Sequence, residues 1–299
     1  MVRASENEAW ANSVGLIASG EDFVPWAPGK YGALAETVPN LVHPLSGYIV
    51  SDLPSTDKPF RYGANLQYNM ALNDQIGDCT IAGIIHAAQI WAEIAGVKYT
   101  YPGDAVTKSV YFDLTGGSDT GLQLTQVIEY CSKPNPLGFQ LIGAATVDIT
   151  DYQLMRQALY NFGCLYWAFE VPASAEADFA AHKPWTLQNP PDQNILGGHC
   201  TVANGTQRET VISPVPKGNL YDHVTWAAQT EMTQGFYEYY GSQAYVLVPK
   251  WYADCGHDAL QKLDSAKMLS DLQSIGNARF AHIAITQGVT TSADIRSTV

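Results

Sequence analysis

From Cys79 the chain reads "CTIAGIIHAAQIWAEIA", with Ile81, Ile84, Ile85, Ala88, Trp91 and Ala92 recurring at helical spacing and Ala82, Gly83 and Ala87 keeping the other sides small. A helix apolar all round belongs inside a fold, so Cys79 to Ala95 is expected to be a buried central helix. "TGLQLTQVIEYCSK" (Thr120 to Lys133) reads as a second helix, stopped by Pro134 and Pro136, and "TDYQLMRQALYNFG" (Thr150 to Gly163) as a third with Thr150 as N-cap. The period then changes. Short apolar or alternating runs at "CLYWAFEV" (Cys164 to Val171), "GGHCTVANGT" (from Gly197), "HVTWAAQT" (His223 to Thr230) and "QAYVLV" (Gln243 to Val248) read as strands. "QGFYEYYGSQAY" reads as an aromatic-rich strand or turn, and "DALQKLDSAKMLSDLQSIG" (Asp258 to Gly276) as a last amphipathic helix. Helices first and strands later predict an α+β chain in which a helical lobe meets a sheet lobe.

Residues 1 to 60 lack this patterning. They are rich in Pro, Gly and Ser with scattered aromatics, so an irregular arm is expected, packed through its Trp, Phe and Tyr side chains. Three parts follow: an N-terminal extension over 1–60, a main domain over 61–255, and a C-terminal helix and tail over 256–299.

With 46% hydrophobic residues over 299 positions, the chain has ample material for a core. Its 29 acidic against 16 basic residues give a formal charge of −13, which repels phosphate backbones and anionic lipid and argues against a nucleic-acid partner. No run approaches a membrane span, and the start "MVRASENEAWANSVGLIASG" lacks the apolar core of a signal peptide. The expectation is a cytoplasmic or virion-associated protein. Five cysteines, Cys79, Cys131, Cys164, Cys200 and Cys255, show no C-x-x-C spacing, so a disulfide framework is not expected, and Cys131 and Cys164 read as buried small hydrophobes. The pairs "HC" at 199–200 and "CGH" at 255–257 fit no common zinc module, and no cofactor is expected.

Cys79 invites a different reading. It opens the central helix after the turn "NDQIGD", where the first amide N–H groups have no intrahelical partner and the dipole favours a thiolate. His199 follows two glycines in "GGHC", where a bare backbone lets another lobe approach its ring. A buried thiol and a structural histidine are the alternatives for these two residues taken singly.

The order of these parts resembles the papain-like cysteine peptidases over roughly residues 61 to 250. "IGDCT" at the head of the long helix, "ALYNFGCLYWAFEVP" as helix then strand, "GGHC", and "VTWAAQTEMTQGFYEYYGSQAYVLV" carry the resemblance. It implies a two-lobe fold, with Cys79 on a central helix, His199 on a β-barrel-like sheet lobe, and a substrate cleft between them. In that family a glutamine six residues before the nucleophile donates to the oxyanion; Asn73 stands there, with Gln75 four before. The family's histidine-orienting asparagine falls on Val224, beside Trp226, which survives from the same motif. Asp222, Asn204 and Gln229 are near enough in sequence to substitute. Asp78 reads as the helix N-cap, its charge opposing a thiolate. The implied activity is a cysteine-dependent hydrolase of peptide or isopeptide bonds, with peptide or protein substrates. The missing asparagine motivates an alternative, a weak or inactive papain-fold structural or binding protein with bacterial or phage assembly partners. A transglutaminase-like acyltransferase is a third. Residues 1–60 are expected to lie across the cleft like a propeptide.

Overall fold

The computed structural model describes residues 28–38, 41–208 and 219–286. Helix α1 spans Cys79–Ala95, as its spacing predicts, and stops at Gly96, which takes the left-handed conformation that glycine adopts without strain. Nearly every residue of it is buried. Helix α2 covers Asp104–Thr115, which the hydrophobic pattern does not announce. Helix α3 is Leu124–Cys131 rather than the longer 120–133 segment, because Gln123 forms a capping box with Gln126 and ends the helix on its N-terminal side. Helix α4 is Tyr152–Phe162, and its cap is Asp151, whose carboxylate accepts from Leu154 N, not Thr150.

The strands are β1 (Ala33–Leu34), β2 (Phe60–Arg61), β3 (Leu122–Gln123), β4 (Leu141–Thr146), β5 (Leu165–Pro172), β6 (Ile195–Arg208), β7 (Asn219–Thr225), β8 (Ala228–Thr233) and β9 (Gly241–Pro249). β1 pairs with β3, parallel; the others make one antiparallel sheet in the order β4-β9-β5-β6-β7-β8, with β2 also on β6. This corrects the barrel-like expectation: the sheet ends at β4 and β8 and does not close. It also corrects the single strand expected over 223–230. Trp226 and Ala227, both at positive φ, turn the chain between β7 and β8. The aromatic run after β8 forms helix α6 (Gln234–Tyr240), after a short helix α5 (Ala173–Ala180) earlier in the chain. After α7 (Lys250–Cys255), the expected last helix divides into a 3₁₀ turn at Asp258–Lys262 and helix α8 over Ser265–Thr286.

The central helix lies on β6. Gly83 makes this approach possible, since a Cβ there would sit 3.2 Å from Cys200 Sγ and 3.3 Å from the Tyr166 ring. Tyr166 Oη donates to Thr80 O (2.9 Å), fixing the first turn of α1 to β5. The two-residue period of β6 turns Cys200 toward the middle of the helix, while His199 and Thr201 on either side of it lie among Phe169, Trp167 and His223. Among the described residues no helix is long and apolar enough to cross a membrane.

Candidate active site

Cys79 is the first residue of α1 and is buried. Its sulfur accepts the Cys200 N–H at 3.4 Å, so the helix terminus and the strand that carries His199 meet at this atom. Burial pushes the thiol pKa up to about 12, with Asp78 adding to the shift, while the amides of Cys200, Gly32 and Ala33 pull the other way. Among the described residues no hydrogen bond joins the sulfur to His199. All five cysteines are free.

His199 is fully buried, and burial holds its pKa down at about 3, with His86 adding to the shift. Its ring is caged: Trp226 stacks on it with centroids 4.6 Å apart, and Phe169 and Tyr31 meet it edge-on. Nε2 is 2.6 Å from Thr225 Oγ1. Nδ1 has no partner among the described residues. Thr225, one position beyond Val224, is therefore the residue hydrogen-bonded to the ring, where the resemblance to papain-like peptidases pointed to Val224. The β-period explains the offset, since Val224 is paired with Val202 in the ladder while Thr225 ends β7 beside the histidine. The signal lay in the "TW" dipeptide, where Trp226 and its predecessor both contact the imidazole.

The other sequence candidates divide. Asn73 is buried beside the cleft, its Nδ2 donating to Lys30 O (3.0 Å) and Ile76 O (3.4 Å). Gln75 is exposed on the cleft rim. Asp222 lies away from His199: it pairs with Arg61 and accepts from Gln207 (2.7 Å). Asn204 donates to Tyr62 O and Gln229 to Gly63 O, so neither orients the histidine. Asp78 occupies the N-cap position, but its side chain makes no capping bond, a correction to the expected role. Its carboxyl is fully buried, and burial raises its pKa to about 8.

Residues 29–34, from the irregular arm, run through the cleft as a strap. Asn73 holds Lys30 from two sides, its O accepting Lys30 N–H and its Nδ2 donating to Lys30 O. Gly32 N–H donates to Gly198 O (3.1 Å), and Gly32 O accepts from Leu122 N–H (2.8 Å). Tyr31 sets its ring edge-on against both His199 and Trp226, and its hydroxyl donates to Glu176. Beyond Leu34 the chain is tied down by Gln123 to Ala35 O and by Thr125 to Glu36. A cleft of about 410 Å³ stays open beside the strap, edged by Gln75, Asp119 and Leu196.

The fold formed by these elements is that of the papain-like cysteine proteases. It is similar to xylellain, a cysteine protease from Xylella fastidiosa, at TM-score 0.52 and 13% identity, covering 76% of this chain and 99% of that one. Also similar are proCathepsin B S9 from Trypanosoma congolense (TM-score 0.49, 12% identity, 73% and 86% covered) and the cysteine protease and lectin-like domains of Cwp84 from Clostridium difficile (0.48, 8%, 76% and 62%). No protein-family model matches the sequence, and no curated protein matches it.

Proposed function

We propose that the chain is a cysteine hydrolase of peptide or isopeptide bonds, held in a covered state by the strap at residues 29–34. One observation carries this reading: His199 has Nε2 engaged by Thr225 and Nδ1 unpartnered, on the strand whose next amide touches the Cys79 sulfur. With the Nε2 proton donated to Thr225 Oγ1, Nδ1 holds a lone pair to take the thiol proton.

The sequence of events follows ordinary thiol chemistry. Once the strap leaves, water enters, and the desolvation that keeps Cys79 a thiol and His199 a neutral imidazole is relieved. The proton passes from sulfur to Nδ1, and the thiolate attacks the substrate carbonyl carbon. The oxyanion takes hydrogen bonds from the Cys79 N–H and from Asn73 Nδ2, the donor that Lys30 O engages in the covered state. The imidazolium returns its proton to the departing amine, leaving a thioester. Water, deprotonated by His199, then releases the acid and restores the thiol.

The strap also favours a second reading, in which the filled cleft belongs to a papain-fold binding protein that does not cleave. Turnover of peptide or amide substrates that disappears in Cys79→Ala supports the hydrolase; substrate processing unchanged in that variant overturns it.

A further inference from the structure

The strap passes Cys79 at Gly32 and Ala33, whose amides face its sulfur, and Gly77, Gly121 and Gly198 are in close contact with it there. A Cβ built on Gly32 would collide with the carbonyl of Gly77, which is backbone and not a side chain that swings aside. Gly77 itself is pinned, because its N–H donates to Asp119 Oδ1 (2.9 Å) and it leads directly into Asp78 and α1. The opposite wall blocks retreat, since the N–H of Gly32 is bound to Gly198 O and its carbonyl to Leu122 N–H. Side chains added to the walls would intrude too: a Cβ at Gly198 would strike Ala33 O, and one at Gly121 would strike Gly32 O. Gly121 is at φ +77, so its own lack of a side chain is required twice over. These residues lie at 77, 121 and 198, far apart in the chain, and converge on one seat.

From this we propose that the seat facing the Cys79 sulfur accepts glycine and rejects every larger residue, so that the substrate is a peptide or isopeptide carrying glycine at the bond that is cut. The neighbouring seat, held here by Tyr31 against His199 and Trp226 with Glu176 receiving its hydroxyl, takes an aromatic residue. The strap supplies both features as Tyr31-Gly32 and occupies the slot as a substrate-like segment. The proposal deepens the hydrolase reading and rests on it for the cleavage step, in which one amide C–N bond and one water give an acid and an amine. The shape of the slot stands independently of that step.

Two arms test it on the full chain. In the first, amide hydrogen exchange over residues 29–38 is compared between the wild type, Gly32→Ala and Gly32→Leu. The seat requires that even the methyl of alanine dislodges the strap, raising exchange of its amides at least ten-fold in both variants. Protection retained in Gly32→Ala overturns the glycine seat whether or not the protein is an enzyme. In the second, Gly32→Leu is offered fluorogenic peptides that differ only in having Gly, Ala or Leu next to the cut bond. At least ten-fold higher kcat/KM for the glycine peptides supports the proposal, and equal rates for all three overturn it. Released strap amides with no peptide cut and no Cys79 alkylation mean that the slot is real and the hydrolase reading has failed. Alkylated Cys79 with no glycine peptide cut overturns the substrate assignment.

Discussion

The two walls of the cleft hold their candidate groups by different means. Cys79 is positioned by packing: it begins a helix buried on almost every side, against β6, with Gly83 letting the two backbones close in. His199 is positioned by directed contacts: one hydrogen bond to Thr225, a stacked Trp226 and a strand register that pairs it with Phe169. Packing resists single substitutions, whereas a directed contact fails when one atom is removed. The proposed nucleophile should therefore be robust in place and the proposed base fragile in orientation.

The largest expected effect lies on the helix wall. Cys79→Ala should lower turnover by ~10⁴-fold or more while changing the unfolding free energy by only about 1 kcal/mol, since it removes one buried sulfur and, with it, only a long hydrogen bond from the Cys200 N–H. Kinetics and urea melts on the same preparation check this. On the sheet wall, Thr225→Val should lower kcat by about 10- to 100-fold, because the ring loses the partner that fixes its tautomer, and Thr225→Ser should restore most of it. A shifted pH profile of kcat, with KM little changed, separates this positioning role from general damage to the fold.

A smaller effect sharpens the contrast through pH. His86, His199 and His223 are buried and held at about 4, 3 and 3, below the unfolded value of 6.5, so unfolding takes up protons as the solution is acidified. Their contribution to stability is lost as pH falls below about 6.5. Asp78 acts in the opposite sense: its folded pKa of about 8 lies above the unfolded 3.8, so stability falls as pH rises through that window. Asp222 and Glu231, also raised by burial, add to this at the acid end. Stability should peak near pH 6 to 7. In Asp78→Asn the decline between pH 7 and 8 should flatten, by ~1–2 kcal/mol in denaturant melts.

Much of the helix wall was readable in the sequence and less of the sheet wall, for physical reasons. The bounds of α1 follow from an uninterrupted apolar period ending at Gly96. The β7–β8 turn was hidden because Trp226 and Ala227 take positive φ without the Asn or Gly that usually announces it. Helix α6 was hidden because Phe236, Tyr237 and Tyr240 face inward, so a short aromatic run fits strand or helix alike. Thr225 was passed over because one position along a strand exchanges the two faces, which motif alignment alone does not register. The strap was anticipated only as an irregular arm over the cleft. Its grip depends on Gly77, Gly121 and Gly198, whose convergence exists only in three dimensions.

The central claim is that Cys79 and His199 become a reactive pair when the strap leaves. The rate of Cys79 alkylation by iodoacetamide, followed by mass spectrometry from pH 4 to 10 in the wild type and Gly32→Leu, tests it most directly. The account predicts slow alkylation of the wild type throughout and, in Gly32→Leu, fast alkylation with an inflection well below pH 8 that disappears in Gly32→Leu/His199→Ala. A rate in Gly32→Leu that rises only above pH 8 and is indifferent to His199 would contradict it.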